Sequence, residues 1–524
     1  MAKFMKSRKW GTIGIPIAML LILSALLLFR NLQLQQVLPS EGWSRSIQLP
    51  AIASGRDYPF LREADGKFEI YTRGKTELHR LVVDSELNVV NDSKLAVKIA
   101  ADKPFWAGNH KVVYLKKDQL MLNDEGKNSV LASSVDGMQA AGDNLILWKG
   151  TKLYKVDVSS FQLNKIGETQ HWIKHVVLDK EKDSFLVVSV PDGEHMQTVF
   201  FKKTGKNYKR FPLFTIPTSP NTSVAGFDFA VNGKEVKVSY SAYVAGAGGA
   251  RRDNYLGSAV LQSPKPKTSV NLIRSIHDEE TKAAIPEAAF SRISYVKGEP
   301  VILLTGRGIL PTGVEADSVF RAVNENGQWT ASRISSTNGP SENPFWLNDQ
   351  TVLWFDFDDY ERYRLEGASQ DPEVISESLQ LRSEDWANAF NHMLPTLTGS
   401  LLMFFYASFL WALPVGLFLV ILMITSITMM ERNPSWILYV SIALYLGMQL
   451  YFIQTLLTET FFRYAPEYLT FPGGIYIVPV ILAAASWFIL RAVGTEDWGV
   501  IARTSYFIGI DGLMLAFLMG PYMI

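Results

Sequence analysis

The segregation of apolar residues along this chain constrains its fold more than any other feature. Residues 394–524 are largely apolar, a second apolar run occupies 11–29, and the stretch between them is mixed and polar. A helix crossing a hydrocarbon core of about 30 Å needs about 20 apolar residues at 1.5 Å each. The run at 11–29 meets that length, so the two ends read as membrane helices and the middle as a large folded domain.

Lys3, Lys6, Arg8 and Lys9 precede the first run, and no small-residue cleavage site follows it. The pattern is that of an uncleaved signal anchor, with 1–10 a basic cytoplasmic tail, 11–30 the first transmembrane helix and the chain outside from residue 31. A cleaved signal peptide with a long apolar core is the alternative. Residues 31–59 read as a linker or stalk, 60–370 as an extracytoplasmic domain, and 371–393 as a linker with a juxtamembrane helix. The bundle at 394–524 divides into spans near 394–430, 436–456, 471–490 and 504–524. Ser383 is a candidate N-cap for a helix on which Trp386, Phe390 and Leu394 share a stripe.

The run 394–430 is long for one straight crossing. It reads as one tilted helix kinked at Pro414 or as a hairpin of two short spans. A single span places 431–435, Arg491 and Arg503 on the cytoplasmic side, and the positive-inside bias favours it. The expected total is five spans with the C-terminus outside.

Lys and Arg number 51, Asp and Glu number 51, and the 524 residues include no cysteine. Zero net charge argues against a nucleic-acid partner, which demands a basic surface. Absence of cysteine excludes disulfides, thiolate metal sites and cysteine nucleophiles. A middle domain of this size buries a sufficient core unaided.

One unit recurs in that domain: an aromatic or apolar pair, a turn rich in Asn, Asp and Gly, then a strand. It appears as FLREADGKFEIYT at 60, FWAGNHKVVYL at 105, MQAAGDNLILW at 138, VVLDKEKDSFLVV at 176, FDFAVNGKEVKVSY at 227, ISYVKGEPVILL at 293 and FWLNDQTVLWF at 345. The repeat resembles a degenerate β-propeller of six or seven blades, without the G-H and W-D signatures of a named subfamily. A two-sheet β-sandwich is the alternative all-β arrangement. A closed propeller sets its first and last blades side by side, so both of its ends leave together.

H-E-x-x-H, G-x-S-x-G, the Walker P-loop and G-x-G-x-x-G are absent, so neither an enzyme nor a cofactor is expected. His171 and His175 lack a third metal ligand. Asp356, Asp358 and Asp359, in WFDFDDYERYR, are weak metal candidates, because alternate carboxylates hold divalent cations in nucleotide-sugar enzymes. YVAGAGGARRDNYLG carries Arg251 and Arg252 at the tip of a glycine-rich loop, either a mobile connection or a docking loop.

The sharpest residue is Asp511, a carboxylate inside the last apolar run, where a charge at bilayer depth costs roughly 2.5 to 3.5 kcal/mol. Counted from Thr504 it lies about 10 Å in, with Gln449 and Gln454 of the third span, 436–456, as polar company. Gly512, Ala516 and Gly520 form a small-residue stripe for close helix packing, with Ala483, Ala484 and Ala485 as a matching surface and Ala443 and Gly447 as a weaker pair. Together these features describe a multi-pass protein of a bacterial cell envelope, set in the lipid bilayer. Its outer domain binds a membrane or envelope partner as sensor, scaffold or accessory subunit. The alternatives are a transporter component using Asp511 and a membrane-bound glycan enzyme using Asp356 and Asp358.

Overall fold

The computed structural model describes residues 2–523 apart from 56, 101–102, 180–182, 247–248, 263–264, 311–313, 326, 360–361, 458–460, 463–464 and 496. The chain divides into two compact units, Leu38–Gln380 and the pair of segments Met1–Val37 and Leu381–Ile524.

The first unit is a seven-bladed β-propeller, with 29 strands among the described residues, which settles the choice between six and seven blades and excludes the sandwich. β1 (Ile47–Ala53) comes first in the chain. The innermost strands of the seven sheets are β2 (Phe60–Ala64), β6 (Phe105–Gly108), β10 (Gly137–Ala141), β14 (Trp172–Leu178), β18 (Thr222–Asn232), β23 (Ala289–Val296) and β27 (Ser341–Trp346). Each of the seven sequence repeats is the inner hairpin of one blade. Three of them turn tightly: Asp65 and Gly66 (φ 53° and 70°), Asn109 and His110 (50° and 61°), and Lys297 and Gly298 (53° and 86°) take the left-handed pair of a type I′ hairpin.

Burial is deepest at the second strands and falls toward the fourth. The second strands, such as β7 (Lys111–Lys116) and β11 (Asn144–Lys149), are buried at four consecutive residues, because neighbouring blades cover both faces of a sheet. Apolar runs without alternation, VVYL and LILW, are what such a position requires. Fourth strands such as β9 (Lys127–Ala132) and β21 (Lys267–Ile273) are almost wholly exposed and polar or β-branched.

The last blade is completed from the start of the chain. β1 pairs antiparallel with β29 (Arg362–Ser369), which pairs with β28 (Thr351–Asp359) and then β27. Residues 31–59 are therefore not simply a stalk: 47–53 are the outer strand of the closing blade, and Leu49, Ala51 and Ala53 alternate into its core. The first apolar helix also runs beyond residue 30, to Gln35. The ends of the propeller are tied together. Ser44 N–H donates to Ser369 O at 2.9 Å, Ser369 N–H to Ser44 Oγ at 3.0 Å, and Arg45 Nη1 to Ser378 O at 2.9 Å.

The described residues of the glycine-rich segment at 243–257, all but 247–248, are strand and not loop. They belong to the hairpin of β19 (Glu235–Gly246) and β20 (Gly249–Val260), paired in unbroken register from Glu235 with Val260 to Gly246 with Gly249.

In the second unit, five helices among the described residues are long and apolar enough to cross a membrane: Thr12–Gln35, Ser383–Thr425, Ser435–Thr455, Gly474–Ala492 and Val500–Leu518. They are called the first to fifth helices below. The ambiguous run is one unbroken helix of 43 residues, about 64 Å at 1.5 Å per residue, with Pro395 and Pro414 inside it. Its N-cap is Arg382 rather than Ser383, and the Asp385 carboxylate accepts the Arg382 N–H at 2.8 Å. Trp386, Phe390 and Leu394 lie exposed on one stripe. The third helix buries Ile437, Ser441, Tyr445, Gln449 and Ile453, one turn apart on a single face. Ala443 and Gly447, expected as a packing pair, point outward instead. The fifth helix packs on all four others, and a Cβ on Gly520 would stand 2.7 Å from Ser400 Cβ of the second.

Because the closing strand contributes Leu49 to a core shared with Leu353, Phe355 and Leu365, Leu49→Ala is expected to destabilise the propeller by about 2–5 kcal/mol. Denaturant unfolding followed by tryptophan fluorescence measures it, with exposed Val130→Ala as the neutral control.

Candidate functional site

All seven inner strands converge on one cavity of about 380 Å³ at the propeller axis. Its wall includes Phe60, Phe105, Gln139, Val177, Asp228, Arg292 and Trp346, one from each blade. Inner strands expose one face to neighbouring blades and one edge region to the axis, so a charged residue tolerated within an apolar inner strand has the axis as its place. Asp228, set between two phenylalanines in β18, and Arg292, in β23, are such residues.

Asp228 is 8 % exposed and ties two blades together. Its Oδ2 accepts the Ile293 N–H at 2.8 Å, and its Oδ1 lies 3.6 Å from Arg292 Nη1. Burial pushes the Asp228 carboxyl up, and the Arg292 guanidinium opposes it. The same guanidinium sits 3.9 Å over the ring of Tyr58, a cation–π contact. Tyr58 comes from the segment preceding the first blade, yet its hydroxyl donates to Ser291 O at 3.5 Å and its ring meets Phe345 edge-on at 6.5 Å. Burial raises the Tyr58 phenol, with Arg292 acting against it. Elsewhere in the wall, Arg73 pairs with Asp57 and lies 5.6 Å over the Phe105 ring. Trp346 Nε1–H, shielded from solvent in this wall, has no hydrogen-bond partner. Such an arrangement accommodates a small ligand or an inserted side chain through aromatic faces, an open donor and two paired charges.

Strand register places this cavity. Trp346, Val352 and Ala368 are level across the closing blade, so the cavity wall at Trp346 lies at the end of the ring where Ser369 and Ser44 are tied. The last pairs of the β19–β20 ladder, Val244 with Arg251 to Gly246 with Gly249, lie at the opposite end, by the start of β18. Arg251 and Arg252 stand there: Arg251 pairs with Asp253 at 2.8 Å, while Arg252 donates to Glu287 O at 3.3 Å and covers the Tyr243 ring at 5.1 Å. Trp172, at the start of β14, is 66 % exposed at that same end.

The structure separates the acidic candidates. Asp356 is wholly buried, its Oδ1 accepting from Ser341 Oγ at 2.7 Å and Trp354 Nε1 at 2.9 Å. A bulge between Phe357 and Asp359 breaks the alternation, and Asp358 faces Arg362 and Arg364 at 3.5 and 3.6 Å. The Asp359 side chain lies outside the described residues. His175 follows a further bulge in β14, while His171 lies before that strand begins. Among the described residues no three His, Asp or Glu side chains gather as a metal site.

Asp511 is wholly buried and lies about 17 Å into its helix, counted from Val500, deeper than its distance from Thr504 implies. Tyr445 Oη and Gln449 Nε2 donate to its Oδ2 at 3.1 and 2.9 Å. Gln454 is exposed and is not a partner: five residues from Gln449 is 140° around the helix. Gly512, Ala516 and Gly520 are buried, but Ala516 and Gly520 face Ser400, Met403 and Ala407 of the second helix rather than the alanines of the fourth, of which Ala483 alone is buried and Ala484 is exposed. Tyr445 escaped the sequence reading although it precedes Gln449 by four residues, the spacing that puts two side chains on one face. Tyr58, Arg292 and Trp346 also escaped it, since only ring closure brings them together.

No protein-family model matches the chain, and no curated protein matches its sequence. Among solved structures, it is similar to the N-terminal domain of Nup159 at 10% identity and TM-score 0.35, over 63% of this chain and 96% of that one. A similar match is the WD40 domain of SCAP from fission yeast, at 9% identity and TM-score 0.35, over 64% and 100%. A third is a chain of BBS1N in complex with ARL6DN, at 10% identity and TM-score 0.35, over 63% and 99%. The propeller rests on the strand order itself and not on these likenesses.

Burial pushes the Asp356 carboxyl up to about 6, against the Thr337, Ser341 and Trp354 contacts that lower it. The folded state therefore binds this proton more tightly than the unfolded chain, whose carboxyl titrates near 3.9. Stability from this group is present below about 4 and is lost as pH rises through about 6. Asp356→Asn is expected to flatten the fall in propeller stability across that window, an effect on the order of 3 kcal/mol, when denaturation midpoints are compared from pH 4 to pH 7.

Proposed function

We propose that this chain is an integral membrane protein of a bacterial cell envelope. Its five apolar helices lie in the bilayer and its propeller lies outside the cytoplasm, where it binds a partner protein or ligand as sensor, scaffold or accessory subunit. The observation that carries the binding role is the axial cavity of about 380 Å³, within the size range of ligand sites, walled by aromatics around Asp228, Arg292 and an unpartnered Trp346 donor. The orientation draws on Lys3, Lys6, Arg8 and Lys9 ahead of the first helix. The membrane placement draws on large apolar side chains left exposed on the helices, among them Phe405, Phe409, Leu417 and Ile424.

A binding role suits this geometry better than glycan chemistry through Asp356 and Asp358. The first is enclosed and hydrogen-bonded, the second is paired with two arginines, and the two face no common opening. A transport role draws on one specific observation, the buried contact of Asp511 with Tyr445 and Gln449. It requires Asp511→Asn to abolish uptake without lowering membrane levels.

A photo-cross-linking residue at Asp349, exposed at the cavity, is expected to capture a defined adduct in native membranes, at least tenfold above the same residue at Val130 on an outer strand. Equal labelling at both positions, or turnover of an envelope substrate by the purified chain alone, would sink the proposal. Alkaline phosphatase fused after Gln380 is expected to be active, as an extracytoplasmic placement demands.

A further inference from the structure

Asp511 offers more acceptor capacity than its surroundings answer. The carboxylate is wholly buried, as are Tyr445, Gln449 and Ser486 around it. Both side-chain donors from the third helix go to one oxygen: Tyr445 Oη and Gln449 Nε2 reach Oδ2 at 3.1 and 2.9 Å. Asp511 Oδ1 and Gln449 Oε1 have no hydrogen-bond partner. The Ser486 hydroxyl of the fourth helix stands near the carboxylate but donates to Leu482 O at 3.0 Å. An ionised carboxylate accepts at about four sites, and burying one without a countercharge costs several kcal/mol.

No countercharge is present among the described residues. Facing Asp511, the third helix brings Tyr445, the fourth brings Ser486, and the first and second bring no charged side chain. The nearest cation on its own helix is Arg503, about 12 Å back along the axis, and that guanidinium donates to Asn433 Oδ1 at 2.7 Å. A metal cation is a poor occupant, because it gathers about six oxygens and the site leaves only three unpartnered, Asp511 Oδ1, Gln449 Oε1 and Ser408 Oγ beside Tyr445. One positive charge placed on Oδ1 itself removes the imbalance.

We infer that Asp511 is a proton-binding site, its carboxyl held as the neutral acid in the packed bundle with the proton on Oδ1, the oxygen that no side chain serves. Losing that proton places an uncompensated charge where the third, fourth and fifth helices meet, so the packing of these helices is linked to proton occupancy. The linkage is independent of what the propeller binds. Stability from the neutral acid is present at low and neutral pH and is lost on alkalinisation.

The test uses the full chain in lipid nanodiscs. Infrared difference spectra between neutral and alkaline pH are expected to show a protonated-carboxyl stretch at neutral pH that shifts in D₂O. The band is expected to be lost in Asp511→Asn and retained in Asp356→Asn. The thermal midpoint of the helical unit is expected to fall with rising pH in the wild type and to lose that dependence in Asp511→Asn. Absence of a protonated-carboxyl band from the wild type at neutral pH overturns the inference without recourse to any variant. A midpoint that rises with Na⁺ at constant ionic strength, and stops doing so in Asp511→Asn, overturns it in favour of a bound metal cation.

Discussion

The pairing of β1 with β29 is the interaction on which the rest of the propeller depends. Six blades can form from consecutive strands, but the seventh takes its outer strand from residues far earlier in the chain. That pairing converts an open array of sheets into a ring in which each blade keeps only a short outer edge. It imposes a loop-closure cost that rises only slowly with length. The return is a buried set of Leu49, Ala51 and Ala53 against the final blade, with both ends of the unit hydrogen-bonded through Ser44, Arg45, Ser369 and Ser378.

Ring closure also creates the axial cavity. Tyr58, Asp228, Arg292, Phe345 and Trp346 come from distant parts of the chain and meet only when the last blade returns to the first. Two of them are charged in strands otherwise apolar, a cost offset by the contact of Arg292 with Asp228 and Tyr58 and by the Ile293 N–H. In the helical unit the same economy appears in another form. Two polar side chains on one face of the third helix, Tyr445 and Gln449, both donate to one carboxylate at the helix junction.

The fold was legible wherever the chain obeys a local period. The seven inner hairpins announce themselves as an apolar or aromatic pair, a short turn and a strand, because a tight turn needs Asn, Asp or Gly and a doubly covered strand needs an unbroken apolar run. The membrane-length helices follow from run length alone, and Arg491 and Arg503 suffice to favour one helix over a hairpin at 383–425. Legibility failed where two periods compete. Asp356 and Asp358 look like a paired motif, but a bulge turns one into the core and the other toward arginines. Gln454 looks as good a partner as Gln449, and only the rotational phase of the third helix distinguishes them. The glycine-rich segment looks mobile in composition, and its described residues are instead held in a continuous ladder of hydrogen bonds.

The sequence by itself determined which segments are apolar enough to cross a bilayer, the recurrence of a hairpin unit along the middle domain and the presence of one carboxylate in an apolar helix, because each is a matter of local composition and spacing. Tertiary structure alone decided that residues 47–53 close the ring, that Tyr58 and Arg292 face one another across its axis, and that Asp511 meets Tyr445 and Gln449 while Gln454 turns away. Those contacts join residues tens to hundreds of positions apart, and their geometry depends on blade order and helix phase, which no local pattern encodes.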